Sequence, residues 1–283
     1  MTFKVATWNI RSGMGIHGFL STAKWDSNTL NCTDGSKPMN AWGLGLPQRE
    51  LEHVRADAGV VAMALQEAWN CGNTTNVNTI LGFRTATREL NGIALLARHG
   101  FAGAPTYQRI SATQWLIGGS VCLDVACSAT LPIYTTHWDG GATDDFVGQA
   151  QAVVDYLAAQ PVPQLFLGDL NVYQVEQWNP RVPCTGDDVS GRVHAIGIVE
   201  SAGYTDAWKA SQSGEGWTGM ASRPGCGSPS GNLFKRIDRV YVKGLQVRAT
   251  SRFGRADPGA DSPSDHVGLL ADLLVPLTAQ PSR

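Results

Sequence analysis

The side chains best equipped for chemistry in this chain sit where its apolar runs stop. VATWN ends at Asn9, VVAMALQE at Glu67 and LPIYTTH at His137. QLFLGDLN closes on Asp169 and Asn171, RIDRVYV carries Asp238 inside an apolar pattern, and SDH supplies Asp265 and His266. Carboxylates and carboxamides are hard oxygen donors suited to Mg2+, Mn2+ or Ca2+. Two histidines add proton transfer or hydrogen-bond donation near neutral pH. No Cys/His cluster has the spacing of a structural zinc site.

Taken singly, each of these residues has an ordinary reading. Asn9 is a turn residue, Glu67 a solvated strand end and His137 a structural histidine. Asp238, between Ile237 and Val240, needs a partner if buried, and Arg236 or Arg239 would serve. Asp169 and Asn171 are i and i+2, so a continuing strand would point both the same way; an Asx turn is the competing reading.

The elements that must position these groups follow from periodicity. A strand is expected at 3–9, and a helix after Pro47 in QRELEHVRADA. VVAMALQE and NGIALLAR read as buried strands, and WLIGGSVCLDV and ATLPIYTTHW as two strands joined by a turn containing Cys127. Phe146, Ala150, Val153, Val154 and Leu157 share one face of a helix over roughly 143–159, with Thr143 and Asp144 as its N-terminal cap. QLFLGD is a strand, a helix follows near 192–202, and RIDRVYV and HVGLLADLLV are the last strands. Strands outnumber helices and the two are interspersed, which predicts an α/β sandwich with sheets packed together and helices outside.

Bulk composition excludes little. The chain has 283 residues, 43% hydrophobic and 16% charged, enough to bury a sizeable core. No internal repeat or linker divides it, so a single domain over 1–283 is expected. A net charge of −2 without a basic run gives no electrostatic case for nucleic acid or anionic membrane, although a bound cation would supply a local positive field. No apolar stretch is long enough to span a bilayer. MTFKVATWNI lacks a signal-peptide pattern, consistent with a cytoplasmic protein or with a mature form carrying an added Met1. The six cysteines, at 32, 71, 122, 127, 184 and 226, lie mostly in polar, Gly-rich loops. That favours disulfides and a secreted or periplasmic location, with Cys122–Cys127, Cys184–Cys226 and Cys32–Cys71 as expected pairs. Trp69, Trp138 and Trp178 lie close to the candidate groups, either to stack on bases, to sit against lipid headgroups, or to pack under loops.

In order, TWNIR (7–11), LQE (65–67), NGIALLAR (91–98), TTH (135–137), GDLN (168–171), RIDRVYV (236–242) and SDH (264–266) resemble the endonuclease/exonuclease/phosphatase superfamily. DNase I, abasic-site endonucleases, neutral sphingomyelinases and inositol polyphosphate phosphatases share its fold. The resemblance implies a DNase I-like four-layer sandwich, two packed mixed β-sheets flanked by helices. It implies a divalent-metal-dependent phosphate-ester hydrolase, with Mg2+ the expected ion and Mn2+ or Ca2+ as alternatives; a monomer is expected. Glu67 would be the principal metal ligand, with Asn9 and Asp265. Asp169 would orient or deprotonate the attacking water, Asn171 hold the phosphate and His137 donate to a phosphoryl oxygen. His266, held by Asp238, would serve the phosphate or the proton transfers. Arg11 and Asn91 would contact substrate. Asn91 departs from DNase I, whose matching strand begins with a glutamate, and NG(I/V)A is closer to the sphingomyelinase and phosphatase branches. A phosphodiester is the expected substrate. A DNase I-like endonuclease, a sphingomyelinase-like or small-molecule phosphoesterase, and a toxin-type nuclease subunit are the alternatives.

Overall fold

The computed structural model describes residues 1–10, 45–69, 74–86, 90–141, 145–173, 190–211, 214, 216–220, 233–254, 264 and 266–276. The chain begins with β1 (Thr2–Asn9), α1 (Gly45–Ala56), β2 (Val60–Gln66), α2 (Thr74–Leu81), β3 (Thr85–Ala86) and β4 (Ala94–Ala97). The middle comprises β5 (Thr106–Arg109), β6 (Trp115–Cys122), β7 (Thr130–His137), α3 (Phe146–Ala158), β8 (Gln164–Asp169) and α4 (Ser190–Ser201). Then come β9 (Thr205–Asp206), α5 (Ala207–Ser211), β10 (Gly219–Met220) and β11 (Leu233–Lys235). β12 (Asp238–Lys243), β13 (Gln246–Phe253) and β14 (Gly268–Leu274) complete it.

Two six-stranded mixed sheets form, ordered β13-β14-β1-β2-β4-β3 and β5-β6-β7-β8-β12-β9. Each contains one parallel pair, β1 with β2 and β7 with β8, and each of these pairs is connected through a helix, α1 or α3. Parallel neighbours end at the same edge of a sheet. Asn9 is therefore in register with Gln66, next to Glu67, and His137 with Asp169.

Strand alternation sorts the core into three layers. Phe3, Val5, Ile133, Leu165, Leu167, Val240 and Val242 pack between the sheets. The opposite faces of β1 and β2, with Trp8, Met63 and Leu65, lie under α1 and α2. Tyr134, Phe166 and Tyr241 lie under α3 and α4. The result is the expected four-layer sandwich.

Toward the shared strand ends the inter-sheet layer turns polar. Thr7 Oγ1 donates to Gln66 Oε1 (3.2 Å), and Gln66 Nε2 donates to Thr135 Oγ1 (3.1 Å), all three fully buried. This hydrogen-bonded rung ties one sheet to the other directly beneath the candidate residues. Buried polar groups are tolerated here because each has a partner.

Several boundaries differ from the sequence-based expectations. α3 starts at Phe146, and its cap is Asp145, whose side chain accepts from Gly148 N at 2.7 Å; Thr143 and Asp144 lie outside the described residues. Asp238 opens β12 instead of lying inside it. α2, β5 and β13 have no counterpart in the expected element list. Cys122 and Cys127 are disulfide-bonded across the β6–β7 hairpin, at the end of β7 opposite His137. The other two expected pairs, Cys184–Cys226 and Cys32–Cys71, lie outside the described residues. Among the described residues, no helix is long and apolar enough to cross a membrane.

Candidate active site

The inter-sheet rows that begin as core end as the site. On β1 the same face carries Phe3, Val5, Thr7 and Asn9; on β7, Ile133, Thr135 and His137; on β8, Leu165, Leu167 and Asp169. β12 runs the other way, so its row reads Val242, Val240, Asp238, with Asp238 in register beside Asp169. A period of two thus delivers four polar side chains to one edge of the seam between the sheets.

Asp169 is the hub. It is 1% exposed, and its Oδ2 accepts from Asn9 Nδ2 at 3.0 Å, lying 3.5 Å from His137 Nε2 and 3.7 Å from His266 Nε2. Asn9 Nδ2 also donates to Glu67 Oε1 at 2.9 Å, so one carboxamide bridges two carboxylates that would otherwise repel.

The strand stops at Asp169, and Asn171 takes φ +53° while its backbone N–H donates to Asp169 Oδ1 at 2.9 Å. That is an Asx turn, the competing reading above. Strand alternation does not orient Asn171; the turn does. Asn171 Nδ2 donates to the Trp138 carbonyl at 2.8 Å and lies 3.3 Å from His137 Nε2. Gly168 of the GDLN run has φ +146°, and a Cβ there would meet the Thr136 carbonyl oxygen at 2.0 Å. Only glycine lets β8 approach β7 this closely.

Glu67 and Asn91 also hold positive φ, 50° and 51°, conformations that L-residues adopt at a cost and that gather at functional sites. At Glu67 the reversal carries the side chain out of the β2 row. Asn91 and Gly92 form the two-residue turn between Leu90 and Ile93, the Asn-Gly signature of a hairpin turn. The Asn91 carboxamide donates to the Thr113 carbonyl at 2.5 Å, so it stands on the rim and is engaged in holding it.

His266 enters from the segment before β14. Its backbone N–H donates to Ser264 Oγ (3.2 Å), Ser264 Oγ donates to the Asn9 carbonyl (2.7 Å), and Trp8 Nε1 donates to the His266 carbonyl (3.1 Å). Its Nδ1 lies 2.8 Å from Asp238 Oδ2. Asp238 is fully buried, and burial pushes its carboxyl up; the charge of His266 pulls it down and Asp169 adds to the rise. Asp169, Asp238 and His266 each bring one ligand-type atom within 4.8 Å of the others. Arg11 and Asp265 lie outside the described residues.

Two positioning residues and one structural anchor escaped the sequence reading. Thr218 Oγ1 accepts from the backbone N–H of Ile237 (3.2 Å) and Asp238 (3.0 Å), while its carbonyl accepts from Val267 N (2.8 Å). It fastens both members of the Asp238–His266 pair, yet its surrounding sequence carries no periodic signal. Arg192, 5% exposed on α4, donates to the Asn171 carbonyl and lies over the Phe146 and Tyr173 rings at 4.2 and 5.0 Å. Asp206 accepts from Arg236 and Arg239 at 2.6 and 2.7 Å. These arginines therefore pair with Asp206 and not with Asp238: Arg239 faces the opposite side of β12 from its neighbour, and Arg236 precedes the strand.

The model of the Endonuclease/Exonuclease/phosphatase family matches residues 6–266. The chain belongs to that family. Endonuclease/exonuclease/phosphatase members are phosphoester hydrolases, nucleases and phosphodiesterases among them. A family structure from Bacteroides vulgatus is 16% identical, with 98% of this chain and 100% of that one covered and a TM-score of 0.64. D. rerio TDP2 complexed with single strand DNA product is 14% identical, with 97% and 99% covered and a TM-score of 0.62. A family structure from Beutenbergia cavernae is 19% identical, with 97% and 72% covered and a TM-score of 0.60. At these identities the likeness is one of fold. A comparison with curated proteins finds no match.

Proposed function

We propose that the protein is a divalent-metal-dependent phosphodiesterase that cleaves its substrate by in-line attack of an activated water. One observation carries the reading: Asn9, His137 and His266, drawn from both sheets, all converge on Asp169 Oδ2, within 3.0 to 3.7 Å.

Glu67 and Asn9 would hold the cation, together with Asp265. The fit rests on donor chemistry, since a half-buried carboxylate beside a carboxamide is an oxygen set for a hard ion. Bound there, a divalent cation would offset the negative charge that builds on the phosphoryl oxygens. Asp169 takes the water proton and fixes the line of attack, and positioning of this kind is a large share of the barrier reduction. His266 is oriented by Asp238 through Nδ1, so its second proton is gained and lost at Nε2, facing Asp169. His137 and Asn171 approach from the second sheet and donate to the phosphate. The trio Asp169, Asp238 and His266 is assigned to proton handling because Asp238 and His266 are already bonded to each other.

DNA is the first substrate to test, since D. rerio TDP2 was solved with a single strand DNA product. The Cys122–Cys127 disulfide supports an oxidising compartment, secreted or periplasmic. The decisive experiment incubates the protein with Mg2+, Mn2+ or Ca2+ against plasmid DNA, RNA, bis-(p-nitrophenyl) phosphate and sphingomyelin. An Asp169→Ala, His266→Ala double variant runs beside it. Hydrolysis of at least one diester that disappears in the variant and in EDTA is the expected result. Activity that survives EDTA would remove the metal from the mechanism.

A further inference from the structure

We infer that Trp69 is a stacking platform for a nucleobase of the substrate, a subsite that rests on the hydrolase reading for the position of the phosphate. Trp8 and Trp138 have no exposed surface, whereas Trp69 is 42% exposed. It lies two residues beyond Glu67, and it is held in place. Its backbone N–H donates to the Glu67 carbonyl at 2.8 Å, and Ala68 N donates to the Gly92 carbonyl at 2.8 Å. The indole rests on the backbone of Gly92: a Cβ there would meet Cε2 at 2.4 Å, Nε1 at 2.6 Å and Cζ2 at 2.8 Å. Gly92, at φ +70°, therefore serves two needs, the turn and the seat for the ring.

An aromatic ring this exposed adds little to the core. Fixing it in advance instead lowers the entropy lost when a ligand settles on it. The shape of the surface selects the ligand. Quaternary ammonium headgroups are taken by cages of several rings. The only other exposed aromatic among the described residues is Tyr107, on β5 at the outer edge of the second sheet. A single flat ring next to the reacting end of β2 suits a single flat partner, and stacking tolerates any base.

The test compares two dye-labelled oligomers of equal length, an oligothymidylate and a base-free sugar–phosphate backbone. Both are titrated by anisotropy, with Ca2+ and in EDTA. Wild type is expected to prefer the base-bearing oligomer. Trp69→Ala should lower that preference about tenfold, within the range for one stacked base, and Trp69→Phe should keep most of it. Gly92→Ala should lower it as well, because its Cβ unseats the ring without removing it. Equal affinities in wild type, or an unchanged preference in Trp69→Ala, would overturn the subsite. So would a Trp69→Ala defect confined to sphingomyelin vesicles, which would make the ring a headgroup contact. Hydrolysis is read separately. A protein that keeps the base preference and cleaves nothing would defeat the phosphodiesterase reading and leave the subsite standing.

Discussion

Asp206 and Asp238 lie on neighbouring strands, β9 and β12, and are almost equally dry, at 2% and 0% exposure. Asp206 faces two guanidiniums. Burial pushes its carboxyl up, but Arg239 and Arg236 outweigh that and hold it below the usual carboxylate range. Asp238 faces one imidazole, and burial, with Asp169 adding to it, wins. The same desolvation has opposite outcomes because guanidinium charge is permanent and imidazole charge is not. Permanent partners make a lock: Asp206 also accepts from the backbone of Trp208 and Lys209, and Arg239 reaches the carbonyls of Val172 and Arg236. A titratable partner leaves a proton free to move, which the site can use.

The largest expected effect comes from breaking the mobile member. Asp238→Asn keeps the shape but removes the charge that stabilises a protonated His266. Turnover of the best substrate should fall about 10²–10⁴-fold, the usual worth of acid–base assistance. The urea midpoint should stay near wild type, since a neutral amide is no harder to bury. An unchanged rate would take the pair out of the chemistry.

Breaking the lock should do the reverse. Asp206→Ala strands two buried guanidiniums and should cost about 3–5 kcal/mol in urea unfolding, with the fraction still folded turning over at nearly the wild-type rate. Asp206→Asn isolates the pH dependence. Because the folded pKa is depressed, the stability Asp206 contributes is complete above the unfolded carboxyl value of about 3.9. It is lost as pH falls toward the lower folded value. Wild type should therefore lose more stability than Asp206→Asn between pH 5 and pH 3. Parallel curves would mean that the arginines do not depress the carboxyl.

The contrast also marks what could be read from residues alone. The apolar runs that stop at Asn9 and at Asp169 were visible, because an apolar stretch closing on a polar residue is a strong local signal of a strand end. The resemblance then placed their ends together. Partner choice was not legible: in RIDR, Asp238 and its flanking arginines look like a pair in the sequence, yet Arg239 faces the opposite side of β12 and Arg236 precedes the strand. Asp206, which completes the lock, lies about thirty residues away in a two-residue strand. Thr218 was hidden for the same reason, acting through its hydroxyl and its carbonyl from a segment without periodicity. β13, QVRATSRF, was missed because it lies at the edge of its sheet, pairing only with β14, and only Val247 and Phe253 reach the core, on either side of a register irregularity.

A third carboxylate gives the baseline against which both others are measured. Asp145 sits at the N-terminus of α3 and accepts the Gly148 N–H at 2.7 Å. Satisfying one orphan helix donor is worth about 1 kcal/mol, so Asp145→Ala should cost roughly that in urea unfolding. Gly148 constrains the repair, because a Cβ there would lie 2.0 Å from Asp145 Oδ2; Gly148→Ala should therefore lose the cap as surely as Asp145→Ala does, despite the better helix propensity of alanine. If Asp145→Ala were as damaging as Asp206→Ala, burial and permanent counter-charge would not be what separates a lock from a cap. The difference assigned to the two guanidiniums would then have to be sought in backbone hydrogen bonds that all three carboxylates could share.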